Sequence, residues 1–129
     1  MKIAFIGCCG PKLQTTCKAR DIYISTKFKT SLKYCLKNFD KVYILSALYG
    51  VVDLDEVISY YNLRLKKREI LWENKVMEQL KTIIKDEDEL YFFVGKNYRG
   101  FVDRLRNPCF APLKEKRIGE QIKFFKENI

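Results

Sequence analysis

Short apolar runs that alternate with helical segments constrain the fold of this chain more than any other feature. From about Tyr23 to Lys37 and from Glu69 to Ile84, apolar residues recur at helical spacing. The apolar runs that flank these segments have the composition of buried parallel strands, and they are Lys2–Gly7, Lys41–Leu45 and Leu90–Val94. Alternating strands and helices favour parallel pairing through right-handed crossovers. We therefore predict an α/β fold: one three-layer domain over residues 1–129, with a small, mainly parallel sheet of about four strands and helices on both faces.

The remaining segments carry weaker patterns. Cys109 to Ala111 predicts a fourth strand, Tyr98 to Leu105 a short helix and Gly119 to Lys126 a last helix. The polar residues from Lys12 to Arg20 and the segment from Ser46 to Asp55 are predicted to be loops. Trp72, at the start of the long helix, is predicted to lie in the core.

The chain contains no histidine and five cysteines, which limits its chemistry. Without histidine, Ser-His-Asp and Cys-His mechanisms and nearly all common zinc sites are excluded, so we predict no metal and no cofactor. An odd number of cysteines fits a reducing compartment, and no apolar run reaches the length of a membrane span. We therefore predict a cytoplasmic protein that does not associate with membranes.

A formal charge of +9, from 25 Lys and Arg against 16 Asp and Glu, favours an anionic partner. Nucleic acid is the simplest such partner, whether DNA or RNA, and a phosphorylated small molecule is the alternative. Charge alone does not separate these from general solubility.

Glycines and polar residues follow each predicted strand, at the edge where α/β sheets bind ligands. Glycine lets the backbone approach a ligand, and lysine or arginine supplies positive charge. The predicted binding residues at this edge are Cys9, Gly10, Lys12, Ser46, Tyr49, Gly50, Gly95, Lys96, Tyr98, Arg117 and Gly119. Gly10-Pro11-Lys12 lacks the glycine spacing of a P-loop, so ATP hydrolysis is not predicted. Cys9 is either a nucleophile activated by Lys12 or, as we favour, a small residue that packs a tight turn.

A second candidate segment runs from Asp53 to Arg68. Carboxylates come from Asp53, Asp55 and Glu56, and aromatic rings from Tyr60 and Tyr61. Arg64 begins a basic cluster suited to phosphate. The alternative for Asp53–Glu56 is an acidic helix start, with Tyr60 or Tyr61 in the core.

The stretch from Ile44 to Val52, followed by Asp55, Ile58, Tyr61 and Leu63, resembles the signature of the YaaA family of peroxide-stress proteins. Trp72 and the segment Phe92 to Tyr98 follow in a similar order. The chain is more similar still to a small bacterial and phage family of unknown function. The motifs that carry this second resemblance are Cys9-Gly10-x-Lys12, Ala19-x-Asp21-x-Tyr23-x-Ser25-x-x-Phe28, Ser46 to Gly50, Gly95-x-x-Tyr98 and Arg117 to Gln121.

The resemblance to YaaA proteins implies DNA binding in a positively charged cleft, which favours DNA over RNA as the partner, and a likeness to DNA glycosylases. If the chain is an enzyme, the expected activity is hydrolysis or transfer at an N-glycosidic bond, without histidine or metal. Such an enzyme needs a carboxylate to stabilise positive charge on the sugar, and Asp55 or Glu120 is expected to supply it. Two alternatives remain open: a small-molecule enzyme acting on a nucleoside or nucleotide, and a non-catalytic phage or mobile-element adaptor.

Overall fold

The structure is a computed structural model that describes residues 1–7, 10–114 and 116–128, with only the backbone of Ile118. In these ranges the strands are β1 (Lys2–Gly7), β2 (Thr16–Lys18), β3 (Lys41–Ser46), β4 (Gly50–Asp53), β5 (Val57–Ser59), β6 (Glu89–Phe93) and β7 (Cys109–Phe110). The α-helices are α1 (Ala19–Ile22), α2 (Thr26–Asn38), α3 (Ile70–Leu80) and α4 (Ile118–Glu127). Two short 3-10 helices, Lys96–Tyr98 and Gly100–Arg104, follow β6.

The main sheet has the order β4-β3-β1-β6-β7 within the described residues. Strand β1 pairs in parallel with β3 and β6, and β6 pairs in parallel with β7. This confirms the predicted α/β class and the mainly parallel sheet. The sheet has five strands rather than about four, because β4 adds to it as an antiparallel edge strand.

The prediction of a loop from Ser46 to Asp55 is wrong for residues 50–53, which form β4. The chain reverses after β3, and Ser46 pairs with Gly50 at the start of β4. Gly50 has a φ of 76°, a conformation that favours glycine and permits the tight reversal. With its two valines, the four-residue strand is too short for its apolar pattern to stand out in the sequence.

A second, two-stranded sheet forms where β2 pairs antiparallel with β5. The prediction of a loop over Lys12–Arg20 is therefore wrong for residues 16–20, which form β2 and the start of α1. Cys17 pairs with Ile58, so the strand depends on a partner about 40 residues away rather than on local pattern.

The helices lie close to their predicted positions. Ser25 caps α2 by accepting a hydrogen bond from the N–H of Phe28 at 3.1 Å. Helix α3 ends at Leu80, four residues before the predicted end, and the segment after β6 is 3-10 rather than α-helical.

Apolar residues fill both faces of the sheet. In β1, Ala4 and Ile6 face α2 and α4, whereas Ile3 and Phe5 face α3. Trp72 is buried on the α3 face, as predicted. This arrangement gives the three layers, with the carboxyl ends of β1 and β6 side by side at one edge.

No helix in the described part of the chain is both long enough and apolar enough to cross a membrane.

Candidate functional site: a basic cavity at the carboxyl edge of the sheet

A cavity of about 470 Å³ opens where β1 and β6 end. Gly7 and Phe93, the last residues of these strands, form part of its wall. The other walls come from the loop after β1, the first turns of α2, the segment after β5 and the segment after β6. We call it the basic cavity, and its described lining residues are Gly7, Gly10, Lys12, Lys27, Ser31, Asn62, Leu63, Arg64, Leu65, Phe93, Val94, Gly95, Lys96, Asn97 and Tyr98.

Four cationic side chains from four separate segments line this cavity: Lys12, Lys27, Arg64 and Lys96. Among the described lining residues there is no carboxylate. A cleft lined by charge of one sign concentrates its field and attracts ligands of the opposite sign. The described lining therefore carries net positive charge, and the volume of the cavity lies in the range typical of small-ligand sites.

The backbone of Leu65 connects two walls of the basic cavity. Its N–H donates to the hydroxyl of Tyr98 at 3.0 Å, and its carbonyl accepts from the side-chain amide of Asn97 at 3.3 Å. The Tyr98 ring also packs edge-on against Trp72, with centroids 5.5 Å apart. These contacts hold Arg64 and Lys96 on the same cavity although they are 32 residues apart in the chain.

Gly10 fixes the loop after β1 against the start of α2. It has a φ of 73°, and a Cβ placed on it would lie 2.7 Å from the Cβ of Ser25. Glycine is therefore required there both for conformation and for space. The close approach sets Lys12 and Lys27 on neighbouring walls.

A chain of buried hydroxyl groups lies behind Lys12. The Ser46 hydroxyl donates to the Tyr61 hydroxyl at 2.8 Å, and the hydroxyls of Tyr61 and Tyr23 are 2.7 Å apart. Ser46 also accepts from the N–H groups of Leu48 and Tyr49, at 3.2 and 3.1 Å. Through Tyr61 and Tyr23, the cluster links the turn after β3 to the segment after β5 and to the residue that follows α1.

Lys12 connects this hydroxyl cluster to the basic cavity. Its ammonium lies 4.7 Å from the ring centroid of Tyr61 and 5.7 Å from that of Tyr23. Cation–π contacts of this kind orient an ammonium group without neutralising it. These contacts therefore hold the Lys12 ammonium between the hydroxyl cluster and the basic cavity.

The turn from Ser46 to Gly50 packs against α3 and β5, and its residues are not part of the described lining of the basic cavity. The indole N–H of Trp72 donates to the Ser46 carbonyl at 2.9 Å. Gln79 accepts from the N–H of Val51 at 2.8 Å and donates to the Tyr49 carbonyl at 3.1 Å. The Tyr49 hydroxyl bonds to the backbone of Ser59. These contacts fasten the β3–β4 hairpin to α3 and to β5.

The structure brings together six of the predicted site residues as lining of the basic cavity: Gly10, Lys12, Arg64, Gly95, Lys96 and Tyr98. Tyr61 lies directly behind Lys12 and is the member of the Tyr60–Tyr61 pair that is buried. Ser46, Tyr49 and Gly50 form the supporting turn. The predicted Cys9 lies outside the described residues.

Asp55 does not line the basic cavity. It follows β4, whose last residue Asp53 pairs with Tyr43 near the amino end of β3, so the hairpin carries it away from the carboxyl edge. Its carboxylate is exposed and lies 2.9 Å from Nε of Arg20. The alternative of a helix start at Asp53–Glu56 is wrong, because the Asp53 carboxylate accepts from the N–H of Asp55 in a turn between two strands.

Arg117, Gly119 and Glu120 are likewise separate from the described lining of the cavity. All three are exposed around the first turn of α4, which packs on α2 through Phe124 and Phe125. In the described part of the chain, no three Cys, Asp or Glu side chains are grouped so that they could hold a metal ion.

Sequence reasoning missed Lys27, Ser31, Asn62 and Asn97. Lys27 had a readable signal, because helices in βα units begin at the carboxyl edge and Ser25 is a recognisable cap. Asn62 and Asn97 had none, since nothing local distinguishes an amide that faces a cavity from one that faces solvent.

An ion pair between Arg68 and Glu73 holds the segment that follows the cavity-lining residues 62–65. Arg68 donates two hydrogen bonds of 2.9 Å to the buried carboxylate of Glu73 and one of 3.0 Å to the Gly100 carbonyl. The hydrogen bond from Arg68 holds the pKa of Glu73 below its ordinary value, although burial opposes this. The pair therefore ties α3 to the 3-10 segment after β6.

Fold and site together define a three-layer α/β domain with a cavity at its carboxyl edge that is lined by four cationic side chains. Residues 3–127 match the profile of DUF6884, a family of unknown function, and the chain belongs to that family. Comparison with curated proteins and with solved structures gives no significant match.

Proposed function

We propose that the basic cavity binds a nucleotide-type ligand through its phosphate group. The observation that carries the proposal is the convergence of four cations from four segments on one cavity without a described carboxylate. Charge-assisted hydrogen bonds from lysine and arginine to phosphate are among the strongest polar contacts in proteins.

The rest of the lining suits the remainder of a nucleotide. Asn62 and Asn97 offer amide groups, and Leu63, Leu65 and Tyr98 offer apolar surface. Ligand sites typically combine such apolar lining with a few polar groups that fix orientation. Phosphate is common to free nucleotides and to nucleic acid, so the proposal is consistent with the partner class expected from the +9 charge and from the YaaA resemblance.

Cleavage of an N-glycosidic bond, expected from the resemblance, stays a prediction. Its expected carboxylates, Asp55 and Glu120, do not belong to the described lining of the cavity. The geometry supports binding, and no contact among the described residues favours that reaction.

Lys27 and Lys37 supply a matched test, because they lie ten residues apart on α2 and only Lys27 lines the cavity. We expect Lys27→Ala to weaken binding of AMP and of inorganic pyrophosphate about tenfold by calorimetry, the loss of one charge-assisted hydrogen bond. Lys37→Ala should bind as the wild type does. Equal affinities for the two variants, or no binding of either anion by the wild type, would overturn the proposal.

A further inference from the structure

A second cavity of about 640 Å³ lies beside β6 and β7. Tyr91, Arg99, Phe110 and Lys114 are among its lining residues. We call it the aromatic cavity. None of the sequence motifs pointed to it, and the proposed phosphate site does not include it.

An exposed aromatic stack forms one side of this cavity. Phe110 lies opposite Tyr91 in the β6–β7 pairing, with ring centroids 4.8 Å apart and an interplanar angle of 22°. The Tyr91 hydroxyl donates to Glu89 at 3.2 Å, and its ring also contacts Phe39 at 4.9 Å, which fixes the inner member. Phe110 is 42% exposed. The outer ring is therefore a rigid, solvent-accessible surface on which another flat ring can stack.

Positive charge accompanies the stack. Arg99 and Lys114 line the same cavity together with one carboxylate, that of Asp103, so the described charged groups of the lining carry a net positive charge. Arg99 donates to the Val94 carbonyl at 3.3 Å. Val94 lines the basic cavity. One hydrogen-bonded segment, residues 94–99, thus separates the two cavities at the end of β6.

Aromatic rings beside cations are how proteins bind unpaired nucleotides: the base stacks on the ring and the cations hold the backbone. We propose that the aromatic cavity is a base-stacking subsite, so that the ligand contains at least two linked nucleotides and its class is single-stranded nucleic acid. One nucleotide places its phosphate in the basic cavity, and the base of its neighbour stacks on Phe110. The proposal rests on the proposed function and names the ligand class for that site.

The test compares AMP, the dinucleotide pApA and an adenine 12-mer, as single strand and in duplex with its complement, by calorimetry. We expect pApA and the single strand to bind at least tenfold more tightly than AMP. Phe110→Ala should remove that gain and leave AMP binding unchanged. Phe110→Leu serves if the alanine variant folds poorly, because it keeps an apolar side chain, and it should lose the gain in affinity as well. Phe110→Tyr keeps an aromatic ring and should retain the gain. Tyr60→Ala removes another ring that is 42% exposed and lines neither cavity, and it should bind as wild type.

Equal affinity of wild type and Phe110→Ala for pApA, or affinities for AMP and pApA that do not differ, would overturn the subsite while the AMP site stands. Failure of AMP to bind would instead overturn the proposed function. If pApA gains affinity and the 12-mer does not, the ligand is a free dinucleotide and the strand assignment is wrong. Tighter binding of the duplex than of the single strand would also contradict the proposal.

Discussion

The Tyr98 hydroxyl accepts the N–H of Leu65 at 3.0 Å, which joins the segment after β6 to the segment after β5 across the basic cavity. Tyr98→Phe removes this acceptor and leaves the Trp72 contact in place. Leaving a partly buried N–H without its partner costs about 1–2 kcal/mol of unfolding free energy. We expect that loss in urea unfolding, together with weaker AMP binding because Arg64 and Lys96 are no longer held together.

Tyr60→Phe is the matched control for this change. Tyr60 is exposed and lines neither cavity. We expect it to alter neither stability nor AMP binding. A Tyr98→Phe protein with wild-type affinity would show that the bond to Leu65 does not position the cavity walls.

The Arg68–Glu73 pair should be strongly coupled, because the Glu73 carboxylate is fully buried. Arg68→Met leaves that buried carboxylate without its charged partner, and we expect a larger loss of unfolding free energy than at an exposed ion pair. Glu73→Gln and the double variant complete a double-mutant cycle of unfolding free energies. We expect the double variant to lose less stability than the two single variants lose together, because the two side chains interact. The pair Lys81–Glu78, with both side chains about two-thirds or more exposed, is the control, and Lys81→Met should cost under about 1 kcal/mol. Additive losses at Arg68 and Glu73 would mean that the two residues act independently.

The sequence predicts the strands whose apolar pattern is local. It does not predict the strands and contacts that depend on a partner far away in the chain. Strands β1, β3 and β6 are continuous apolar runs, so their ends at the carboxyl edge were predictable, and with them Lys12, Lys96 and Tyr98. Strand β2 depends on β5, and the contact between Tyr23 and Tyr61 spans 38 residues, so neither has a local signal.

The wrong assignment of a loop over Ser46–Asp55 led to a wrong expected position for the Asp55 carboxylate. Treating Ser46 to Asp55 as a loop kept Asp55 at the carboxyl edge, whereas the hairpin through Gly50 returns the chain toward the amino end of β3 before Asp55 is reached. An antiparallel edge strand of four residues thus places Asp55 away from the carboxyl edge at which the parallel strands end.

Gly10 and Gly119 should respond in opposite directions to the same substitution. Gly10→Ala meets a positive φ and a Ser25 Cβ at 2.7 Å, so we expect a loss of at least about 1 kcal/mol. Gly119 lies in the first turn of α4 with nothing within 4 Å of an added Cβ. Alanine there should stabilise the protein by about 0.5–1 kcal/mol, because it restricts the unfolded chain. Thermal unfolding of the two variants measures both effects, and a stabilised Gly10→Ala protein would contradict the geometry of the loop.

Acid should destabilise the protein through Glu73 and Asp88. Hydrogen bonds from Arg68 and from the Lys85 N–H, respectively, hold the pKa of each carboxyl below its ordinary value. A carboxyl whose pKa is lower in the folded state contributes stability above its unfolded pKa, and that contribution is lost as pH falls through the folded pKa. Urea unfolding between pH 7 and pH 3 should therefore show stability falling below about pH 4.5, the ordinary pKa of Glu73.

Glu73→Gln separates this linkage from general acid sensitivity. The variant is less stable at pH 7 because the charged pair is lost, and its stability should fall less steeply below pH 4.5 because one of the two linked protons no longer binds. Asp88→Asn should reduce the slope in the same way, since Asp88 bonds to the N–H of Lys85 at 2.9 Å on a different part of the fold. Because Glu73 and Asp88 share no hydrogen-bond partner among the residues that the structure describes, the double variant should show the sum of the two reductions. Acid slopes in both variants equal to that of the wild type would assign the acid transition to other carboxyls.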